Sequence, residues 1–272
     1  MLCVCQFRKN LSLALDTFDA SAVVYNEVLS RLLERLDFIK RSPARILNLG
    51  AKTGAATRSL NAYYPDADII AYEVCTPHLL KNPLEHEKVQ AICGDYDQLP
   101  FASNTFDMIF SHFALPFTAS HERTFARAYA ILKPGGCLIF STLGPDTLKE
   151  LKQAFEMVDP QVHVHPFLDM HDVGDALLSA QFSDPVMDRE SLTMTYATVE
   201  QLLRDLKQMG ATNISASRRA GLTPARVVKR MTESYYEHFA RDGRLSQTNE
   251  LLYGIAWKPE HAPSVQDPQT GE

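Results

Sequence analysis

The sequence predicts an α/β fold, a mostly parallel sheet with helices on both faces. Short apolar runs of strand length recur at 45–49, 68–72, 89–93, 106–111 and 137–142. Helical patterns or crossovers lie between most of them, the order that a parallel sheet requires. The first run passes into a glycine loop, Gly50-Ala-Lys-Thr-Gly54, and a helical pattern follows at 55–60. That junction lets backbone N–H groups face a ligand.

Before the sheet, Val24, Val28, Leu29, Leu32, Leu33 and Leu36 fall at helical spacing, an amphipathic helix over 23–36. Lys133-Pro-Gly-Gly136 is a turn that feeds the fifth strand. The pattern then changes. A helix is expected over 145–158 with Asp146 in its first turn, and another over 169–180 capped by Asp169. Leu192, Met194 and Tyr196 alternate as a half-buried strand does, and 198–209 is helical up to Gly210, a C-cap. Thr223-Pro224 starts the last helix, to about 240; Asp242-Gly243 is a turn and 251–257 the closing strand. The reading is one domain over 1–259: an N-terminal helical part (1–40), a ligand-binding core (41–143), an inserted helical region after the fifth strand (144–190) and a C-terminal part of the fold (191–259). The polar 260–272 stretch is expected to be a disordered tail.

The 272 residues are 45% apolar, enough for a sizeable core. A net charge of −6 argues against general nucleic-acid binding. Five scattered cysteines do not resemble a disulfide framework, and neither a secretory signal nor a membrane-length apolar run is visible. A cytoplasmic protein is the expectation. His163, His165 and His171 read as packing or hydrogen-bonding residues, with no metal expected. The aromatics of 113–117 and Tyr235-Tyr236 read as core.

Glu73 ends the second strand about 20 residues past the glycine loop, where a carboxylate takes both hydroxyls of a ribose. The loop spacing fits neither the dinucleotide G-x-G-x-x-G nor a P-loop, so a mononucleoside such as S-adenosylmethionine fits better. Asp95, after Cys93-Gly94, ends the third strand; it reads equally as an acceptor for an adenine amino group or as a turn cap.

The series of glycine loop, Glu73, Gly94-Asp95, Leu99-Pro-Phe101, Phe106-Asp107 and Leu132-Lys-Pro-Gly-Gly136 resembles class I S-adenosylmethionine-dependent methyltransferases. The second half is sharper. Phe140-Ser-Thr-Leu-Gly-Pro-Asp-Thr-Leu-Lys-Glu-Leu151, His163-Val-His165, Met170-His-Asp-Val-Gly-Asp175, Asp184-Pro-Val-Met-Asp188, Leu192-Thr-Met-Thr-Tyr196, Gly210-Ala-Thr-Asn213 and Tyr253-Gly-Ile-Ala-Trp257 resemble the malonyl-acyl-carrier-protein O-methyltransferases of the biotin pathway. That resemblance implies a Rossmann-like fold with a mostly parallel seven-stranded sheet. It implies methyl transfer from S-adenosylmethionine to the free carboxyl of malonyl on acyl carrier protein. The ester hides a charge that apolar elongation channels would bury at great cost. Asn48, Gly50, Lys52, Gly54, Glu73, Asp95, Tyr96 and Ser111 are then the cofactor-side set. Candidates to orient the carboxylate are Arg218, Arg219 and Arg127, with Arg218 preferred for its place before Gly221-Leu-Thr223; Arg suits a bidentate grip. Arg226, Lys229 and Arg230, with Arg219 upstream, offer a basic face to an acidic carrier protein.

The chain departs from the family pattern where the cofactor is expected. Asn48, Ala51 and Lys52 replace an Asp, a Cys and a Gly. If Lys52 needs a positive φ, the strain is about 1–2 kcal/mol. Its ammonium is placed either to pair with the cofactor carboxylate or to repel the sulfonium. Phe18 stands for a family Tyr, and Ala114-Leu-Pro-Phe117 for Ala-Leu-Gln-Trp. Besides the active enzyme, two readings stay open: a weakened or inactive paralogue that binds acyl carrier protein, and a methyltransferase of a different carboxylate.

Overall fold

The computed structural model describes residues 2–81 and 85–260, so the tail expected over 260–272 lies outside the described residues except for Glu260. The chain opens with α1 (Val4–Ala14), α2 (Phe18–Ser21) and α3 (Val23–Glu34), the last continued by a 3-10 turn at Arg35–Phe38. Strand and helix then alternate through β1 (Arg45–Leu49), α4 (Ala55–Tyr63), β2 (Asp68–Glu73), α5 (Thr76–Lys81), β3 (Val89–Cys93), β4 (Phe106–His112), α6 (His121–Ile131) and β5 (Leu132–Leu143). There follow α7 (Lys149–Glu156), α8 (Met170–Ser179), β6 (Ser183–Tyr196), α9 (Val199–Gln208), α10 (Ala225–Phe239), β7 (Ala240–Arg241) and β8 (Arg244–Trp257).

The strands form one sheet in the order β3-β2-β1-β4-β5-β8-β6, with β7 beside β8. The first five are parallel, and β8 runs antiparallel between β5 and β6. Because β1 lies between β2 and β4, the winding reverses there, and a crevice opens past the C-terminal ends of β1 and β4. Apolar residues line both faces of the sheet. Leu32 and Leu36 join Leu60 of α4 on one face, while Phe7 and Leu11 of α1, Phe125 of α6 and Leu177 of α8 cover the other.

Among the described residues the sheet has eight strands where seven were expected. The addition is β7, which forms a hairpin with β8 across Asp242-Gly243, both at positive φ (+50° and +71°) as a tight two-residue turn demands. β6 and β8 also run longer than their apolar residues suggested; much of β6 is exposed and polar, and polarity hides a strand. The helix expected from Pro145 starts at Lys149: Leu148 sits at φ +60°, and the N–H of Asp146 and the hydroxyl of Thr147 bond to Glu250 of β8. A further helical pair, α9 and α10, comes between β6 and β8. With α7 it builds a separate apolar cluster around Leu151, Phe155, Leu202, Met231 and Tyr235. Asp169 caps α8, accepting from the N–H of His171 and Asp172, and Gly210 follows α9 at φ +69°, both as expected.

Candidate active site

The glycine loop closes the crevice at the end of β1. Gly50 (φ +87°) and Gly54 (φ +88°) make the turn that only a residue without Cβ adopts freely, and a Cβ on Gly50 would lie 2.9 Å from that of Ala114. Several of the loop N–H groups that the sequence allowed to face a ligand are engaged within the protein. Those of Gly50 and Ala51 donate to the Tyr72 carbonyl (2.9 and 3.2 Å), that of Gly54 to Ala51, and that of Lys52 to Glu73 Oε2 at 2.9 Å. Asn48 donates to Thr57 Oγ1 at 2.8 Å, while its own Oδ1 is buried without a partner. Thr53 Oγ1 bonds to Asp19 of α2, which ties the N-terminal helices to the loop.

Lys52 holds the left-handed conformation at φ +49°, and its side chain is buried. Nζ donates to Tyr96 Oη at 3.0 Å and lies 3.5 Å from Glu73 Oε2. It sits 4.9 Å from the ring centroid of Phe7, 5.4 Å from that of Tyr96 and 5.8 Å from that of Phe117. Burial pushes its pKa below the ordinary lysine value, and the Glu73 charge opposes that shift. Glu73 is fully buried. Its Oε2 also accepts from Tyr96 Oη at 2.7 Å, and Oε1 accepts from the N–H of Val74 (2.8 Å) and Cys75 (3.2 Å). Burial, with Glu73 next, holds the Tyr96 phenol protonated far above its usual range.

The other predicted residues divide. Phe18 lines the crevice edge-on to Tyr25, with centroids 5.4 Å apart. Ser111 is buried at the end of β4 with no hydrogen-bond partner for its Oγ. Asp95 caps its own turn, accepting from the Asp97 N–H at 3.0 Å, and lies 4.0 Å from Arg8. Gly94 is required there, since a Cβ would come 1.9 Å from Tyr72 Oη. Arg127 binds the carbonyls of Leu99 and Phe101, which makes it a structural residue. Arg218 donates to Gln6 Oε1 of α1 at 2.9 Å. Arg219 pairs with Asp159 at 3.1 Å, and Asp159 also holds His163. Arg226, Lys229 and Arg230 are exposed on the first two turns of α10.

Beside the Lys52 cluster lies an apolar cavity of about 280 Å³, walled by α1, the 113–117 segment, α7, α9 and the 163–167 stretch. Phe7 and Phe117 stack in its wall, 4.0 Å apart and 9° from parallel, so the 113–117 aromatics are wall as well as core. Few polar atoms reach it. Tyr25 Oη and His165 Nε2 are both buried and unpartnered, and burial pushes the His165 pKa down to about 4. Sequence reading missed Tyr25 altogether; its place among the apolar residues of α3 carried no signal. His163 stacks on Phe155 at 3.7 Å, whereas His171 is exposed. Tyr235 is core as expected, but Tyr236 is 41% exposed. Among the described residues no cluster of His, Cys, Asp and Glu could hold a metal, and no helix is long and apolar enough to cross a membrane. A second cavity, among Arg41, Asp107 and Gly135, lies at the opposite end of the strands.

Comparison with known proteins places this geometry. The methyltransferase domain family matches residues 47–140, the loop and the first five strands. A malonyl-[acyl-carrier protein] O-methyltransferase of Gallionella capsiferriformans is 43% identical over 267 residues, 95% of this chain and 91% of that one. A malonyl-[acyl-carrier protein] O-methyltransferase 1 of Coxiella burnetii is 40% identical over 93% of this chain and 87% of its own. In fold the chain is similar to the YcgJ protein of Bacillus subtilis (TM-score 0.59, 13% identity, 87% of this chain and 100% of that one). It is also similar to a Haemonchus contortus phosphoethanolamine N-methyltransferase 2 solved with S-adenosyl-L-methionine (TM-score 0.53, 18% identity, 85% of this chain and 52% of that one).

Proposed function

The chain belongs to the malonyl-[acyl-carrier protein] O-methyltransferase family, and from that premise we propose that it methylates the free carboxyl of malonyl carried on acyl carrier protein, with S-adenosylmethionine as donor. The observation that carries this is an alignment at 43% identity over 267 residues, 95% of this chain, which spans the cofactor core and the helices that wall the cavity. When bound, the cofactor supplies a methyl group already activated on a sulfonium.

The substrate carboxylate is ionised at neutral pH and needs no general base, so the protein's work is to hold and orient it. An apolar cavity penalises that charge unless donors meet it. Tyr25 Oη is the donor that the geometry supports. Burial keeps it protonated, it has no partner of its own, and Tyr25 is one of the residues that line the cavity. His165, neutral for the same reason, offers Nε2 to the thioester carbonyl or the carboxylate. Arg218 remains a candidate on condition that it releases Gln6, since its guanidinium is engaged there and is not part of the cavity wall.

For the carrier protein, we read the exposed Arg226, Lys229 and Arg230, next to the 95% exposed Leu222, as the docking face. A basic face on an otherwise acidic protein steers an acidic partner. Arg219 is left out of it by its pairing with the buried Asp159. The test is transfer of methyl from labelled S-adenosylmethionine to malonyl-acyl carrier protein, with acetyl-acyl carrier protein as control. The ester on the first and none on the second supports the reading; label on neither or on both contradicts it.

A ribose needs the Glu73 oxygens, and in this conformation Glu73 is met by Lys52, Tyr96, Val74 and Cys75. The donor does not fit until the Lys52 side chain has moved.

A further inference from the structure

We propose that Lys52 is a built-in surrogate for the cofactor. Its ammonium takes the hydroxyls' place at Glu73 and a cation's place among Phe7, Tyr96 and Phe117, so that S-adenosylmethionine binds only by displacing it. The inference rests on the cofactor reading above.

Four observations carry it. The position has a left-handed backbone, φ +49°, in a loop whose flanking turn residues are glycines at +87° and +88°. A lysine there is strained, and nothing about the turn itself calls for a long side chain. The side chain does not escape to solvent, as an exposed loop lysine would, but stays 3% exposed and points at the acid that ends β2. The contacts that it makes are of the two kinds that a hydroxyl and a cation would make: a donor to Tyr96 beside the Glu73 carboxylate, and a positive charge 4.9 to 5.8 Å from three aromatic centroids. Finally, the enclosure is double. The Phe7–Phe117 stack brings α1 over the ammonium, and α1 is fastened beyond it by the Cys3 N–H to the Ile214 carbonyl and by Arg218 to Gln6. Opening the cradle therefore involves the N-terminal helix as well as the lysine.

The consequence is a competition. Apparent affinity is the intrinsic affinity reduced by the fraction of molecules in which the cradle is open. Removing the side chain removes the competitor and relieves the backbone strain together. With the open form at about 1–10% of molecules, Lys52→Gly tightens binding by about 10- to 100-fold.

The experiment is calorimetric titration of S-adenosylhomocysteine, the unreactive product, into the wild-type chain, Lys52→Gly and Lys52→Met. We expect Lys52→Gly to bind at least about tenfold tighter than wild type, with Lys52→Met between them because it keeps bulk without charge. Equal or weaker binding by Lys52→Gly overturns the proposal, and so does no binding by either protein. A second readout uses only the wild type. Lys52 should resist an amine-acylating reagent in the free protein and become labelled when the ligand is saturating; unchanged protection overturns the displacement. The function fails separately. If Lys52→Gly binds the cofactor tightly yet transfers no methyl to malonyl-acyl carrier protein, the substrate reading falls and the surrogate stands.

Discussion

Replacing His165 by Phe should make the protein more resistant to acid, by an amount that the structure fixes. His165 is 5% exposed, and burial drops its pKa from 6.5 to about 4 in the folded state. A depressed folded pKa means that the unfolded chain binds the proton first. The contribution is therefore intact above about pH 6.5 and is lost as pH falls toward the folded value. At about pH 5 the unfolded state holds one proton that the folded state refuses, worth about 2 kcal/mol, or 1.4 kcal/mol for each pH unit below 6.5. Phe removes the titration and the unpartnered Nε2 together, among neighbours that are already aromatic: Phe167 at 4.7 Å and Phe117 at 6.1 Å. Any overpacking cost is independent of pH and cancels in the comparison. Urea unfolding of both proteins at about pH 7 and pH 5 gives the two losses of stability. The wild type should lose about 2 kcal/mol more than the variant. Equal losses would show that His165 is not held neutral and would remove it as a neutral donor in the cavity.

Tyr25→Phe should leave thermal stability unchanged or slightly raised, because the hydroxyl is buried without a partner; it should lower kcat/KM for malonyl-acyl carrier protein about tenfold or more, and steady-state kinetics with a melting curve reads both. Charge reversal of Arg226, Lys229 and Arg230 should reduce kcat/KM for the carrier-bound substrate by about tenfold at low salt, mainly through KM, and the gap should narrow as salt screens the face. Gly94→Ala should lower the melting temperature by several degrees, about 1–3 kcal/mol, since its Cβ would meet the Tyr72 ring and hydroxyl; a melting curve equal to wild type refutes the packing argument. Glu150→Ala should loosen α7 from β8 and destabilise the fold by about 1–3 kcal/mol, because Glu150 accepts from both the N–H and the Oγ1 of Thr248 in a buried site. Denaturant titration measures that loss.

The sheet was legible because its first five strands are short apolar runs punctuated by turns, and Glu73 was legible because its spacing from Gly50 follows from a single strand–helix–strand unit. Lys52 could be singled out as a departure, but not its destination: that depends on Tyr96 and Phe117, brought together only by the sheet, and on Phe7, which α1 delivers from ahead of the first strand. A strand-to-helix turn lets the loop N–H groups face a ligand; here the neighbouring strand's Tyr72 carbonyl and the Glu73 carboxylate claim several of them. Arg127 and Arg219 looked available because a sequence shows charge and not partners. The long polar stretch of β6 and the hairpin of β7 were hidden for a related reason, since backbone pairing with β8 defines them more than any apolar pattern does.

The most direct measurement is the mass of malonyl-acyl carrier protein after incubation with the wild-type chain and S-adenosylmethionine. The account predicts a gain of one methyl on malonyl-acyl carrier protein and no gain on acetyl-acyl carrier protein. An unchanged malonyl-carrier mass from wild type and from a cofactor-binding Lys52→Gly variant alike would contradict it.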